Sequence, residues 1–241
     1  MRVVTARDYD QMSRKASYIV ASRVILNPKC VLGLATGDTP KGLYRELAFL
    51  FRAGDVDFSG VTTFNLDEYV GLTPDHPNSY QSYMREHFFR FVNVSPGRRH
   101  IPDGAAPDLA AECRRYEAAI ERAGGIDLQI LGLGRDGHIG FNEPDVKFET
   151  GTHVVTLAES TLEANARFFA RADDVPRSAI SMGIRTIMSA RRILLLASGA
   201  EKAEAIRGAV MGAVTPDLPA SVLQLHPNAT VIVDEAAART L

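Results

Sequence analysis

Short apolar runs alternate along this chain with amphipathic stretches of ten or more residues, and this alternation restricts the fold more than any other feature. The runs have the length of buried strands, and the stretches carry apolar residues at the three- and four-residue spacing of a helix face. The pattern predicts strands at Cys30–Ala35, Val61–Leu66, Asp127–Leu133, Ile193–Ala197 and Thr230–Val233, and helices at Asp10–Ile25, Gly42–Phe51, Asn78–Phe91, Leu109–Arg122 and Glu201–Val210. We therefore expect a three-layer, Rossmann-like α/β fold, with a mostly parallel sheet and helices on both of its faces.

Size and composition indicate a single domain and argue against some kinds of partner. The 241 residues are 46% hydrophobic and show neither a linker nor a repeat, so a single domain over 1–241 is the simplest expectation. A net charge of −2 argues against nucleic acid as a partner, and the absence of a long apolar run argues against a membrane. Cys30 and Cys113 form no CxxC pair and no secretory leader precedes them, so we expect a cytoplasmic protein with reduced cysteines.

Three of the predicted strands end in polar, turn-forming sequence. These ends are Thr36-Gly37-Asp38-Thr39-Pro40, Asn65-Leu66-Asp67-Glu68-Tyr69 and the loop from Asp136 to Glu143. Because the carboxyl ends of parallel strands meet at one edge of the sheet, we expect the three segments to line one ligand site.

The loop that follows Leu133 contains the strongest candidates for chemistry. His138 has Asp136 two residues before it and Glu143 five residues after it, and these acids could orient its ring. The alternative is that His138 has a purely structural role. The stretch Gly132–Gly137 matches GxGxxG, but the glycines and the proline that follow it rule out the long helix of a dinucleotide site. The six histidines lack metal-binding spacing, and no serine or cysteine has the context of a nucleophile, so we expect acid/base chemistry without a metal or other cofactor.

The other two strand ends suit an anion and a base. In the first, Gly37 allows close backbone approach, and Thr39 with Pro40 forms a natural helix start whose free amides favour phosphate. Asp38 would repel a phosphate and is expected to turn away towards Lys41. In the second, Asp67 is a candidate general base, and the alternative is that it caps the next segment.

Together these residues resemble the glucosamine-6-phosphate deaminase (isomerase) family. The resemblance runs through Leu32–Gly37, Phe64–Leu72, Gly137–Pro144 and Leu223–Pro227, and so covers nearly the whole chain. It implies conversion of glucosamine 6-phosphate and water to fructose 6-phosphate and ammonia, a step of amino sugar and N-acetylglucosamine catabolism.

The resemblance also implies a role for each site residue. Asp67 would move a proton from C2 to C1 of the open-chain sugar, and His138 would open the ring, held by Asp136 and Glu143. The phosphate would be bound by Thr36, Gly37, Thr39, Arg167 and Lys202; without the family, the last two would be read as solvated surface charges.

The sequence is compatible with other functions and assembly states. The alternative functions are a galactosamine 6-phosphate deaminase, a hydrolase of the 6-phosphogluconolactonase type and a non-catalytic sugar-phosphate sensor. The protein could also form a homo-oligomer. Residues 156–176 form either a mobile cover or an ordinary surface helix. Allosterically activated relatives carry basic residues after the catalytic loop and a longer C-terminal tail, whereas this chain has His153 and Val155 there and ends at Leu241, so we expect no activation by N-acetylglucosamine 6-phosphate.

Overall fold

The structure is a computed structural model that describes residues 1–169, 171 and 174–241. Its helices and strands alternate as the sequence pattern predicts. The strands are β1 (Arg2–Ala6), β2 (Val31–Leu34), β3 (Thr62–Asn65), β4 (Asp67–Tyr69), β5 (Arg99–His100), β6 (Leu128–Leu131), β7 (His153–Thr156), β8 (Ser178–Ser181), β9 (Ile193–Ala197) and β10 (Ala229–Asp234). The helices are α1 (Tyr9–Leu26), α2 (Pro40–Arg52), α3 (Tyr80–His87), α4 (Leu109–Arg122), α5 (Glu159–Ala166), α6 (Ile184–Met188) and α7 (Ala203–Met211).

Seven strands form a parallel sheet in the order β1-β10-β9-β6-β2-β3-β5, and helices cover both of its faces. All five predicted strands belong to this sheet, so the predicted α/β class is confirmed. Its centre has buried leucines on both faces, as in other sheets covered by helices, with Leu32 and Leu194 on one face and Leu131 and Leu195 on the other. The edge strands β1 and β5 were not predicted, because Arg2–Ala6 is mostly exposed and β5 has only two residues.

A second, antiparallel sheet of three strands, in the order β4-β8-β7, was also not predicted. Its strands have three or four residues each and give too little periodicity to be recognised in the sequence. The small sheet matters for the site because β4 begins at Asp67, which pairs with Ser181 of β8.

The helix boundaries agree with the prediction at most ends, and two details differ. The stretch predicted as one helix over Asn78–Phe91 contains α3, which ends at His87, and a separate 3₁₀ turn at Phe89–Phe91. Thr39 precedes α2 as expected, but its side chain makes no capping hydrogen bond. No helix among the described residues is both long and apolar enough to span a membrane.

Candidate active site

Four neighbouring strands of the parallel sheet carry the candidate residues at their carboxyl ends. In sheet order these are β9, β6, β2 and β3, and they lead to Lys202, His138, the loop of Gly37, and Asp67. From β2 the chain moves to β3 and β5 on one side of the sheet, whereas β6, β9 and β10 lie on the other side. The site thus lies at a topological switch point, where open α/β sheets bind ligands.

The loop between β2 and α2 presents unused amide groups. Gly37 has φ of +93°, which L side chains rarely adopt, and within the described residues the backbone amides of Gly37, Asp38 and Thr39 donate no hydrogen bond. They precede a helix of 13 residues, so the dipole of α2 adds to their attraction for an anion. Burial raises the pKa of Tyr80 well above its usual value, and the nearby Thr36 hydroxyl opposes this shift. Tyr80 packs against Tyr69 with ring centroids 4.9 Å apart.

Asp67 is a mostly buried acid. Only 6% of its surface is exposed, and in the part of the chain that the structure describes its carboxyl group makes no hydrogen bond to another protein group. Burial, together with the nearby charge of Glu68, raises the pKa of Asp67 to about 8. Its Oδ2 atom is 3.7 Å from the position that a Cβ atom on Gly140 would occupy, so the loop that contains His138 and Glu143 passes directly beside this carboxyl group.

The neighbouring carboxylate has a structural role. Glu68 accepts hydrogen bonds from its own neighbour Tyr69 (2.9 Å) and from the amides of Tyr80 (2.9 Å) and Gln81 (3.0 Å) in the first turn of α3. Burial raises the pKa of Glu68 to about 7, although these three bonds oppose the shift. Ser79 is the N-cap of α3 and Glu68 binds its first two amides, so Asp67 does not have the capping role that the sequence left open for it.

The structure places His138 next to Asp136. Nδ1 of His138 lies 2.7 Å from Oδ1 of Asp136 but is not aligned for a hydrogen bond, and the same oxygen accepts a hydrogen bond of 3.2 Å from the His138 amide. Nε2 is then the ring nitrogen left for a ligand. Burial would raise the pKa of Asp136, but the close contact and charge of His138 lower it to about 2. Gly134 makes room for the ring, because a Cβ atom at this position would be 2.3 Å from Nδ1 of His138.

Glu143 contacts a different partner from the one expected. Its Oε2 atom accepts a hydrogen bond of 2.7 Å from the amide of Ala158, and Oε1 accepts one from the Thr161 hydroxyl. Glu143 therefore holds the first turn of α5. The structure shows no direct contact between Glu143 and His138 among the described residues, so any influence of Glu143 on this ring is indirect.

Two cations approach the same edge of the sheet. Lys202, directly before α7, donates a hydrogen bond of 2.7 Å to the carbonyl of Leu133, and burial lowers the pKa of Lys202. Arg167, at the C-terminal end of α5, places a guanidinium nitrogen 2.7 Å from Oδ2 of Asp38. Asp38 also contacts Lys41 at 2.8 Å, as the sequence analysis predicted.

The segment 156–176 contains α5, which spans the site from Glu143 at its start to Asp38 at its end. Phe169 packs edge to face on Tyr69, with centroids 6.0 Å apart, so the segment also covers the wall beside Asp67. Ala170, Ala172 and Asp173 of this predicted cover lie outside the described residues.

Sequence analysis missed two residues that shape the loop. The buried Ser181 hydroxyl accepts a hydrogen bond of 3.0 Å from the amide of Phe141. Asn142 donates to the carbonyls of Ile139 (2.9 Å) and Met182 (2.8 Å). Both residues tie the catalytic-loop candidate to β8. No sequence signal marked Ser181, because its strand was not predicted, whereas Asn142 lies within the stretch Gly137–Pro144 that carries the family resemblance.

The two described cavities do not contain the candidate catalytic pair. One, of about 140 Å³, lies beside Glu143 and Phe148, and the other, of about 340 Å³, lies at the amino ends of β6, β9 and β10. We locate the site by its converging polar groups, since neither cavity is lined by Asp67 or His138. Among the described residues, no three His, Cys, Asp or Glu side chains come together as they would around a metal ion.

Comparison with known proteins agrees with this geometry. Residues 9–232 match the family model of glucosamine-6-phosphate isomerases and 6-phosphogluconolactonases. A glucosamine-6-phosphate deaminase of Halothermothrix orenii is 58% identical over the full length of both chains, and one of Clostridioides difficile is 54% identical over all of this chain and 97% of that protein.

Solved structures give the same result. A monomeric glucosamine-6-phosphate deaminase superposes with a TM-score of 0.98 at 50% identity, with both chains fully covered. A 6-phosphogluconolactonase from Leishmania guyanensis, 21% identical, shares the fold with a TM-score of 0.77 over all of this chain and 98% of the other. The chain belongs to the glucosamine-6-phosphate isomerase/6-phosphogluconolactonase family.

Proposed function

We propose that this protein is a glucosamine-6-phosphate deaminase, which converts glucosamine 6-phosphate and water to fructose 6-phosphate and ammonia. The observation that carries the proposal is the position of Asp67, a buried carboxyl group with a raised pKa beside the loop of His138. The full-length relatives of this activity, at 54–58% identity, support it.

Asp67 is suited to move the proton. A carboxyl group with a pKa near neutrality both takes a proton from carbon and returns it, because neither form is strongly favoured. In the proposed reaction Asp67 removes the proton at C2 next to the aldehyde, and the resulting enediol-like intermediate is protonated at C1. This leaves an imine at C2, and attack by water on the imine releases ammonia and forms the ketone. These reaction steps balance without an oxidant, a metal or another cofactor.

The imidazole of His138 is suited to the preceding step, the opening of the pyranose ring. Asp136 holds Nδ1, so Nε2 exchanges a proton with the ring oxygen while the ring keeps a fixed orientation. We assign Glu143 to the placement of α5 and, through it, of Arg167. This role differs from the direct support of His138 that the family resemblance implies.

The phosphate group would lie at the start of α2. The free amides of Gly37 and Thr39 and the hydroxyl of Thr36 supply donors, and Lys202 and Arg167 supply positive charge. Phosphate binding would fix the sugar with C1 and C2 over Asp67, which is the positioning that raises the rate of proton transfer.

The test is incubation of the purified protein with glucosamine 6-phosphate while ammonia and fructose 6-phosphate are measured. We expect equal amounts of both products from the wild type. Asp67→Asn should abolish turnover while substrate still binds, because the amide keeps the shape of the side chain and cannot take the proton. Asp75→Asn is the matched control, since it changes the same group on a side chain that is 95% exposed. An active Asp67→Asn protein would contradict the assignment of the base.

Parallel assays with other substrates decide between the alternatives. Faster turnover of galactosamine 6-phosphate would change the assigned sugar, and hydrolysis of 6-phosphogluconolactone without deaminase activity would indicate the other branch of the family. A sensor would bind the sugar phosphate and release no ammonia. The comparisons do not favour these three alternatives.

We also infer a cytoplasmic location, because both cysteines are buried and unpaired, as in proteins of reducing compartments. Light scattering of the purified protein would distinguish a homo-oligomer from a monomer such as the glucosamine-6-phosphate deaminase that shares this fold.

A further inference from the structure

Asp38 places a carboxylate inside the loop to which the phosphate is assigned. Its Oδ1 atom contacts Nζ of Lys41 at 2.8 Å, and its Oδ2 atom contacts the guanidinium of Arg167 at 2.7 Å. Lys41 is three residues from Asp38 in the sequence, whereas Arg167 is 129 residues from Asp38 and lies at the end of α5. The long-range pair therefore depends on the tertiary structure.

α5 brings Arg167 to this position. The helix is held at its start by Glu143, which binds the amide of Ala158, and Arg167 follows directly after its last residue. The free amides of Gly37, Asp38 and Thr39 lie in the loop that Arg167 touches. The guanidinium is thus beside the anion site but is already paired with the protein's own carboxylate.

We propose that Asp38 sets the phosphate affinity of this site by pairing with Arg167 in the unliganded protein, so that a bound phosphate must take Arg167 from Asp38. This inference rests on the proposed sugar-phosphate function. It makes Asp38 a residue that determines affinity through Arg167, and it requires no change in the catalytic groups.

Transfer of Arg167 from Asp38 to a bound phosphate should be favourable, because phosphate is the stronger anionic partner. A phosphate accepts two parallel bonds from a guanidinium and carries more charge than a carboxylate. Both side chains of the existing pair are well exposed, 64% for Arg167 and 50% for Asp38, and exposed pairs are weak. Asp38 also keeps Lys41 as a partner after Arg167 leaves. The pair therefore reduces phosphate affinity without preventing binding.

The test is a double-mutant cycle on the whole protein, with inorganic phosphate as the probe and calorimetric titration as the readout. Asp38→Asn should bind phosphate about threefold to fivefold more tightly than the wild type, the size expected for release of Arg167 from an exposed ion pair. In an Arg167→Gln background the same Asp38→Asn change should alter the affinity less than twofold, because there is no guanidinium left to release. Asp38→Ser repeats the test with a smaller side chain.

Asp10→Asn is the control, since Asp10 forms an exposed pair of 2.8 Å with Arg45 and neither is a predicted site residue. It should leave phosphate affinity unchanged. An equal gain from Asp38→Asn in both backgrounds would indicate direct repulsion and overturn the exchange. Unchanged or weaker phosphate binding by Asp38→Asn would overturn it too, and so would the absence of measurable binding.

Turnover separates this inference from the proposed function. In Asp38→Asn, the KM for glucosamine 6-phosphate should fall by the same factor as the phosphate dissociation constant, with kcat within twofold of the wild type. If the wild type does not deaminate this sugar, the activity assignment fails, and the phosphate titrations still decide whether Asp38 competes for Arg167.

Discussion

Replacement of Asp67 by Asn should make the protein increasingly stable relative to the wild type as the pH rises, while it abolishes activity. Asp67 is buried without a hydrogen-bond partner among the described residues, and its pKa rises from the ordinary 3.8 to about 8. Below pH 3.8 the group is protonated in both the folded and the unfolded chain. Between pH 3.8 and 8 the unfolded chain releases the proton and the folded chain keeps it, so the wild type loses stability as the pH rises. The Asn variant has no such loss.

The size of the effect follows from the proton that the folded state retains. Over this range the gap in unfolding free energy between variant and wild type grows by about 1.36 kcal/mol per pH unit. Between pH 5 and pH 7 it should therefore widen by about 2.7 kcal/mol. This is a large part of the 5–15 kcal/mol by which folded proteins are typically stable.

Urea unfolding of both proteins at pH 5, 6 and 7 measures this gap. Asp75→Asn, on a side chain that is 95% exposed, should give a difference from the wild type that does not grow with pH. A constant gap for Asp67→Asn over the same range would refute the reasoning, because it would mean that Asp67 is ionised in the folded protein and that water or a counter-charge stabilises it.

Four further predictions follow from the site. The kcat/KM for glucosamine 6-phosphate should rise between pH 6 and pH 8, because the ionised fraction of Asp67 increases towards its pKa of about 8; a flat profile would contradict its role as the base. Gly134→Ala should lower kcat/KM about 100-fold, since the new Cβ atom would displace the His138 ring, whereas Gly132→Ala, with nothing within 4 Å, should remain close to the wild type. Lys202→Met should raise KM about tenfold to 100-fold through loss of a charge-assisted bond to phosphate, and a KM within twofold of the wild type would place the phosphate elsewhere. Addition of N-acetylglucosamine 6-phosphate should leave the KM of the wild type unchanged, and a fall in KM would show an activating site.

Much of the fold could be predicted because long helices and strands have apolar residues at regular spacing in the sequence. The five central strands and the helices α1, α2, α4 and α7 are apolar at regular spacing, and the structure confirms them. The antiparallel sheet left no such trace, since β4, β7 and β8 have at most four residues each. The pairing of β4 with β8, which joins Asp67 to Ser181, depends on contacts between segments more than 100 residues apart.

The candidate site divides in the same way. Sequence alone determined which residue types are available and that Asp67, His138 and the Gly37 loop follow strands, because these properties are local. Only the tertiary structure decided that Glu68 binds the first amides of α3 while Asp67 is buried without such bonds, that Glu143 holds α5, and that Arg167 pairs with Asp38. The physical reason is that burial, and therefore pKa and pairing, depends on which distant segments surround a side chain, and the order of residues along the chain does not contain those distances directly.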